Sequence, residues 1–253
     1  MTKNILFIGD SITEGVTGIN YINLIKKNYS HYNFINMGQG GDTLFGVRTR
    51  ILAALREEND FSVIVIEVGH NDLLIPYLEK RSSSWRTMAS YLREQGSIPT
   101  PNIKEYRNLL EKTLKEIKEV YSGNIVLTTL SCLGENLSSK INIKRKELNE
   151  EIKSVGREYG CFLADVGKAF DGELEGKKTR NDLEETFLNP DFINASGFVN
   201  ETEKALFHLT VDGCHLNEKG AELYSQVITE AKEPSLCFCK KRGLLRPLTL
   251  KLK

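Results

Sequence analysis

The chain has 253 residues, 40% of them hydrophobic, which suits one globular domain with a sizeable core. Lys plus Arg and Asp plus Glu each total 34, so the formal charge is zero and nothing global points to nucleic acid or an anionic membrane as a partner. The five cysteines (132, 161, 214, 237 and 239) are odd in number and show no paired-ligand spacing beyond Cys237-x-Cys239. That argues against a disulfide framework or structural zinc and favours a reducing, cytoplasmic setting.

In chain order, short apolar runs alternate with helical patterns. Strands are predicted at 5–8, 34–36, 63–68, 125–129 and 162–165. The first run is too short for a signal-peptide core and reads as a buried strand, and no stretch is long enough to span a bilayer. Val63-Ile-Val-Ile is β-branched and continuous, the pattern of a strand buried on both faces. Helices are predicted at 21–28, 44–57, 103–121 and 141–159, with a last one beginning near Asn217 and ending before Pro234. In the third of these, Leu109, Leu110, Leu114, Ile117 and Val120 share one face. The alternation implies βαβ units, a parallel sheet, and loops gathered along the sheet edge where ligands bind. Residues 1–234 form the expected single domain, and 235–253 a basic tail. The segments 78–101 and 172–208 are long for connections and read either as lids or substrate walls, or as surface decoration. The second carries Phe187, Phe192, Ile193, Phe198 and Phe207, an apolar set costly to leave exposed together.

Four loops carry polar groups suited to chemistry. Gly9-Asp10-Ser11-Ile12-Thr13 follows the first strand, where a serine hydroxyl would stand at the sheet edge beside a helix start. The same residues also suit a simple helix cap. Asn36-Met37-Gly38-Gln39-Gly40-Gly41-Asp42-Thr43 allows close backbone approach and exposes N–H donors, but no Gly-Lys-Ser/Thr follows to make a phosphate loop. Gly69-His70-Asn71-Asp72 offers the Asn71 amide as a donor that does not compete for protons. Asp212-Gly213-Cys214-His215 places a carboxylate three residues before a histidine, one of only four in the chain. A serine hydroxyl needs such a base, and the base needs an acceptor to fix its tautomer. Each loop alone is ambiguous. Together they supply the nucleophile, base, orienting acid and oxyanion donors of acyl transfer.

These four blocks resemble those of the GDSL/SGNH hydrolase family over most of the domain. The resemblance implies a flavodoxin-like three-layer α/β/α sandwich with a parallel central sheet. It implies Ser11 as nucleophile, His215 as general base and acid, and Asp212 as its partner. The oxyanion hole it implies comes from the Ser11 and Gly41 backbone N–H groups and the Asn71 side chain. The first block reads Gly-Asp-Ser-Ile where the family usually has Gly-Asp-Ser-Leu, and His70 stands where Gly is common, expected as a loop residue near the site. The predicted activity is a serine esterase or acylhydrolase acting on a small or medium acyl ester, such as an acylated carbohydrate or a lipid-like ester. It needs no cofactor and no metal. The alternative is a non-catalytic module binding a sugar or nucleotide on the same fold. A metal-dependent hydrolase fits less well, since no ligand set such as H-E-x-x-H is present. Oligomeric state is left open.

Overall fold

A computed structural model describes residues 3–58, 60–179, 183–188 and 207–231. The basic tail, Cys237, Cys239, Phe192, Ile193 and Phe198 lie outside the described residues.

Five strands, β1 (Lys3–Gly9), β2 (Tyr32–Gly38), β3 (Phe61–Ile66), β4 (Asn124–Thr128) and β5 (Phe162–Ala164), form one all-parallel sheet in the order β2-β1-β3-β4-β5. Ile5 pairs with Phe34 on one side and Val63 on the other, and Val65 pairs with Val126. The side-chain period of two then divides each central strand between two cores. Ile5, Phe7, Val63 and Val65 face one layer, and Leu6, Ile8, Ile64 and Ile66 the other. This is why the runs read as continuously apolar.

Helices α2 (Tyr21–Asn28), α8 (Val166–Leu174) and α10 (Glu218–Glu230) cover the first face through Ile22, Ile25, Phe170, Tyr224 and Ile228. Helices α3 (Leu44–Glu57), α6 (Ile103–Val120) and α7 (Lys140–Glu158) cover the second through Val47, Ile51, Leu110, Leu114, Leu148 and Ile152. The result is the expected three-layer α/β/α sandwich in flavodoxin-like strand order. Chain order reverses between β1 and β3: the chain passes from β1 out to β2, then returns to the opposite side. Loops leaving β1 and β3 therefore set out toward opposite sides, and the carboxyl ends of the strands at such a switch point are where these sheets bind ligands.

Five further helices were not anticipated. These are α1 (Ser11–Glu14), α4 (His70–Leu78), α5 (Ser83–Glu94), α9 (Leu183–Thr186), and α8, which absorbs the start of the 172–208 segment. Helix α4 contains Pro76, a residue that usually breaks a helix, and α5 has Ala89 as its one buried residue. No described helix is long and apolar enough to cross a membrane.

Candidate active site

Ser11 opens α1 straight after β1. Asp10 caps this helix, its carboxylate accepting the Ile12 N–H at 3.0 Å. The Ser11 N–H, in the first turn, has no intrahelical acceptor and is free for a ligand. Gly9 is required because a Cβ there would stand 2.4 Å from the Glu67 carbonyl oxygen, so no other residue lets β1 run this close to β3.

The last block folds back as a clamped loop. An antiparallel bridge joins Thr210 to Leu216, and the Val211 N–H donates to the His215 carbonyl at 2.7 Å. Asp212 turns inward, its Oδ1 accepting the Cys214 and His215 N–H groups at 2.9 and 2.8 Å. Its Oδ2 lies 2.8 Å from His215 Nδ1 and accepts the Leu188 N–H at 3.1 Å. His215 Nε2 lies 3.0 Å from Ser11 Oγ. Residues 204 positions apart thus form one hydrogen-bonded series, carboxylate to imidazole to hydroxyl. Asp212 and His215 are buried at 0 and 2% exposure, and Ser11 is half-buried. Burial alone would raise Asp212 and lower His215; their mutual attraction and hydrogen bonds outweigh it, so the Asp212 pKa falls and the His215 pKa rises.

The oxyanion candidates converge through a backbone contact. Asn71, in the first turn of α4, donates one amide hydrogen to the Asp42 carbonyl at 2.9 Å, which leaves a second. That carbonyl follows Gly41, which holds φ +77°, a left-handed conformation glycine adopts without strain, and whose own carbonyl accepts the Ser97 hydroxyl at 2.7 Å. Asp42 does not cap α3. Its Oδ2 takes the Arg50 Nε–H at 2.9 Å, while Arg50 also reaches the Gly9 carbonyl at 2.9 Å and that of Met37. The α3 cap comes from Asp72, whose carboxylate accepts the Leu44 N–H at 2.9 Å and the Thr100 N–H at 2.9 Å. One arginine and one aspartate thereby tie the three loops together.

Two groups near the site, Glu135 and Glu67, were not singled out from the sequence, whereas Phe187 belongs to the 172–208 segment expected as a lid or substrate wall. Glu135, 1% exposed, accepts the His208, Leu209 and Thr210 N–H groups at 2.7, 2.7 and 2.9 Å, anchoring the strand that leads into Asp212. Phe187 stacks on the His215 ring, centroids 5.7 Å apart and planes 10° from parallel, and contacts Trp85 at 5.8 Å. Glu67 pairs with His70 below Ser11. His70 is not a loop residue: it begins α4 and is 1% exposed, because its ring is drawn inward by that carboxylate. The signal for Glu67 was a carboxylate at the end of a fully buried apolar run, which demands a partner. Glu135 depends on long-range folding and left no local signal. Among the described residues, Asp10, Glu67 and His70 are the one group whose atoms lie close enough to share a metal ion. Their spacing also suits a shared proton, since His70 Nδ1 is within 3.0 Å of Glu67.

A parallel sheet whose carboxyl edge carries a serine, an imidazole and a buried carboxylate in series has the makings of a serine hydrolase. The model of the GDSL-like lipase/acylhydrolase family matches residues 7–223, and the chain belongs to that family, a serine esterase or acylhydrolase. No curated protein matches it by sequence. Similar solved structures include an α/β hydrolase from the metagenome of Lake Arreo, Spain, at 17% identity and TM-score 0.62, covering 91% of this chain and 96% of that one. A catalytic mutant of Axe2, an acetylxylan esterase from Geobacillus stearothermophilus, is similar at 16% identity and TM-score 0.63, covering 91% and 95%. At such identities these likenesses speak for the fold.

Proposed function

We propose that the protein hydrolyses carboxylic esters of small or medium acyl groups through an acyl-enzyme on Ser11, with acylated carbohydrates as the favoured substrates. The observation that carries this reading is the unbroken series from Asp212 through His215 to Ser11, at 2.8 and 3.0 Å. His215 Nε2 takes the hydroxyl proton as Oγ attacks the ester carbonyl, and Asp212 steadies the imidazolium that forms. The Ser11 and Gly41 N–H groups and the free Asn71 amide hydrogen hold the oxyanion. Collapse breaks the ester C–O bond, and the alcohol leaves with the proton from His215. Water then loses a proton to His215, attacks the acyl-serine and releases the acid, and Oγ recovers its proton. The carbohydrate preference takes support from the acetylxylan esterase activity named for a protein of the same fold. The Phe187–Trp85 pair beside His215 gives an apolar wall suited to an acyl group or a sugar face, and the 172–208 segment supplies part of that wall. A binding module has no use for a buried carboxylate orienting a base on a serine.

The test is labelling with a fluorophosphonate, which requires an activated serine, followed by a panel of acyl esters of graded length and acetylated oligosaccharides. Labelling that Ser11→Ala abolishes, with turnover highest on short acyl chains and acetylated sugars, is expected. No labelling of the folded protein would contradict the mechanism, and a preference for long acyl chains would contradict the substrate class.

A further inference from the structure

A second ionic cluster lies beneath Ser11, and the acyl-transfer steps do not use it. Asp10, Glu67 and His70 are 0, 0 and 1% exposed. His70 Nδ1 lies 3.0 Å from Glu67 Oε1 and 3.5 Å from Asp10 Oδ2, while its Nε2 lies 3.0 Å from the Ser131 hydroxyl. Glu67 Oε2 accepts the Asp10 N–H at 3.2 Å and the Thr13 hydroxyl at 2.9 Å. Asp10 Oδ1 is taken by the Ile12 N–H. Asp10 Oδ2 is then the one buried side-chain polar atom without a hydrogen-bond partner among the described residues. The atom nearest to serving it is the His70 Nδ1 proton, already bonded to Glu67.

Two carboxylates sealed from water around one imidazole demand a positive charge between them. A ring protonated on both nitrogens supplies it: Nδ1–H points at the carboxylates and Nε2–H at Ser131. The placement in the chain gives this charge a task. Asp10 immediately precedes Ser11, His70 immediately precedes Asn71, and Glu67 joins them from the end of β3. Cluster and chain together tie the nucleophile turn to the helix that carries the oxyanion donor.

We propose that His70 is a positioning residue: as a buried imidazolium between Asp10 and Glu67, it holds Ser11 in register with Asn71. Burial alone would lower the His70 pKa, but Asp10 and Glu67 carry it up to about 9. Burial and the neighbouring Glu67 push Asp10 up to about 7, while hydrogen bonds from His70, Thr13 and Asp10 hold Glu67 down against burial. Every element around the cluster contributes a titratable or polar group: Tyr21 from α2, Tyr106 from α6, Ser131 after β4, Tyr224 from α10, and Cys214 with the Asp212–His215 pair from the last loop. Burial raises the three tyrosines and Cys214, so they stay neutral through the working range. The imidazolium that holds the turn is therefore present below about pH 9 and lost above it, while the Asp10 carboxylate opposite it is charged above about pH 7. A loosened turn misplaces the nucleophile, and a displacement of about 1 Å costs about 10²-fold in rate.

This inference rests on Ser11 as nucleophile. The test pairs a variant with a measurement on the unaltered protein. His70→Gln keeps a donor but no charge. It is expected to lower kcat about 10²-fold at unchanged KM, and to lack the alkaline fall in kcat near pH 9 that is expected of the wild type. Nitrogen–proton correlation spectra of the wild-type imidazoles are expected to show both His70 nitrogens protonated at neutral pH, titrating near 9. A neutral His70 ring, a stoichiometric metal bound in its place, or wild-type kinetics and pH profile in His70→Gln would overturn the proposal. Should that variant fail to fold, the spectra decide. Failure of the nucleophile assignment would show separately, as retained turnover in Ser11→Ala, and would leave the ring measurement untouched.

Discussion

Replacing Asp212 with Asn removes one charge and almost no volume, so its effect can be worked out atom by atom. Asp212 takes four donors: the Cys214 and His215 N–H groups on Oδ1, and the His215 ring and the Leu188 N–H on Oδ2. In the variant the amide oxygen keeps the first two, and the NH₂ then faces His215 Nδ1. To accept from it, that nitrogen must give up its proton, and the ring carries the hydrogen on Nε2 instead. Nε2–H then points at Ser11 Oγ and cannot take the serine proton. Imposing the wrong tautomer in this way costs about 10⁴ in kcat, or about 5 kcal/mol of barrier. The Leu188 N–H loses its acceptor, a penalty of about 1–3 kcal/mol. In a domain of this size that lowers Tm by about 2–12 °C. The assay is hydrolysis of p-nitrophenyl acetate by pure variant, with melting followed by circular dichroism. A folded Asp212→Asn protein with kcat within ten-fold of wild type would refute the reasoning.

Asn71→Ala removes a donor that binds the oxyanion more strongly than the ester carbonyl, so kcat on a simple ester falls by about 10²–10³ with KM little changed; a pure KM effect would place Asn71 in substrate binding. The raised pKa of His215 sets the acid limb, because the base must be neutral: kcat/KM is expected to fall as pH drops through a value above that of an ordinary histidine, and an acid limb below the ordinary value would contradict the pairing with Asp212. For stability, the His215 contribution is complete below its unfolded pKa and is lost as pH rises through the folded value. The Asp212 contribution is complete above its unfolded pKa and is lost as pH falls through its lowered value. Arg50→Met leaves the 5%-exposed Asp42 carboxylate without its cation; since Arg50 is itself 21% exposed, the loss is about 2 kcal/mol, or about 4–8 °C in Tm, readable by calorimetry.

Much of this architecture is written locally. Helices α2 and α3 follow their apolar periodicity to the residue, and α10 starts where the Asn217 side chain accepts the Gly220 N–H. The central strands read as buried on both faces because successive residues of β1 and β3 face two different cores. The four blocks of the candidate site were legible because their polar residues stand at strand ends or just before the last helix, and the structure brings Ser11, Asp212 and His215 of those blocks together. What escaped was set by contacts between distant segments. Asp72 looks like part of an Asn-Asp turn, yet it caps α3 across a separation of 28 residues. Glu135 lies 75 residues from the Thr210 N–H it accepts, and neither segment hints at the other. His70 looks incidental until Glu67 and Asp10 are seen to converge on it. The Trp85–Phe187 contact joins the two long connections and depends on where each lands.

The covalent intermediate tests the central claim most directly. In the wild-type protein, the good leaving group of p-nitrophenyl acetate should let acylation outrun attack by water, so that the acyl group accumulates. Rapid acid quench after mixing with p-nitrophenyl acetate, followed by peptide mass spectrometry, reads its position. Acetate on the peptide carrying Ser11, chased away with time and absent in Ser11→Ala, is the predicted result. Turnover with Ser11 unmodified at every time, or acetate carried by another side chain, would contradict it.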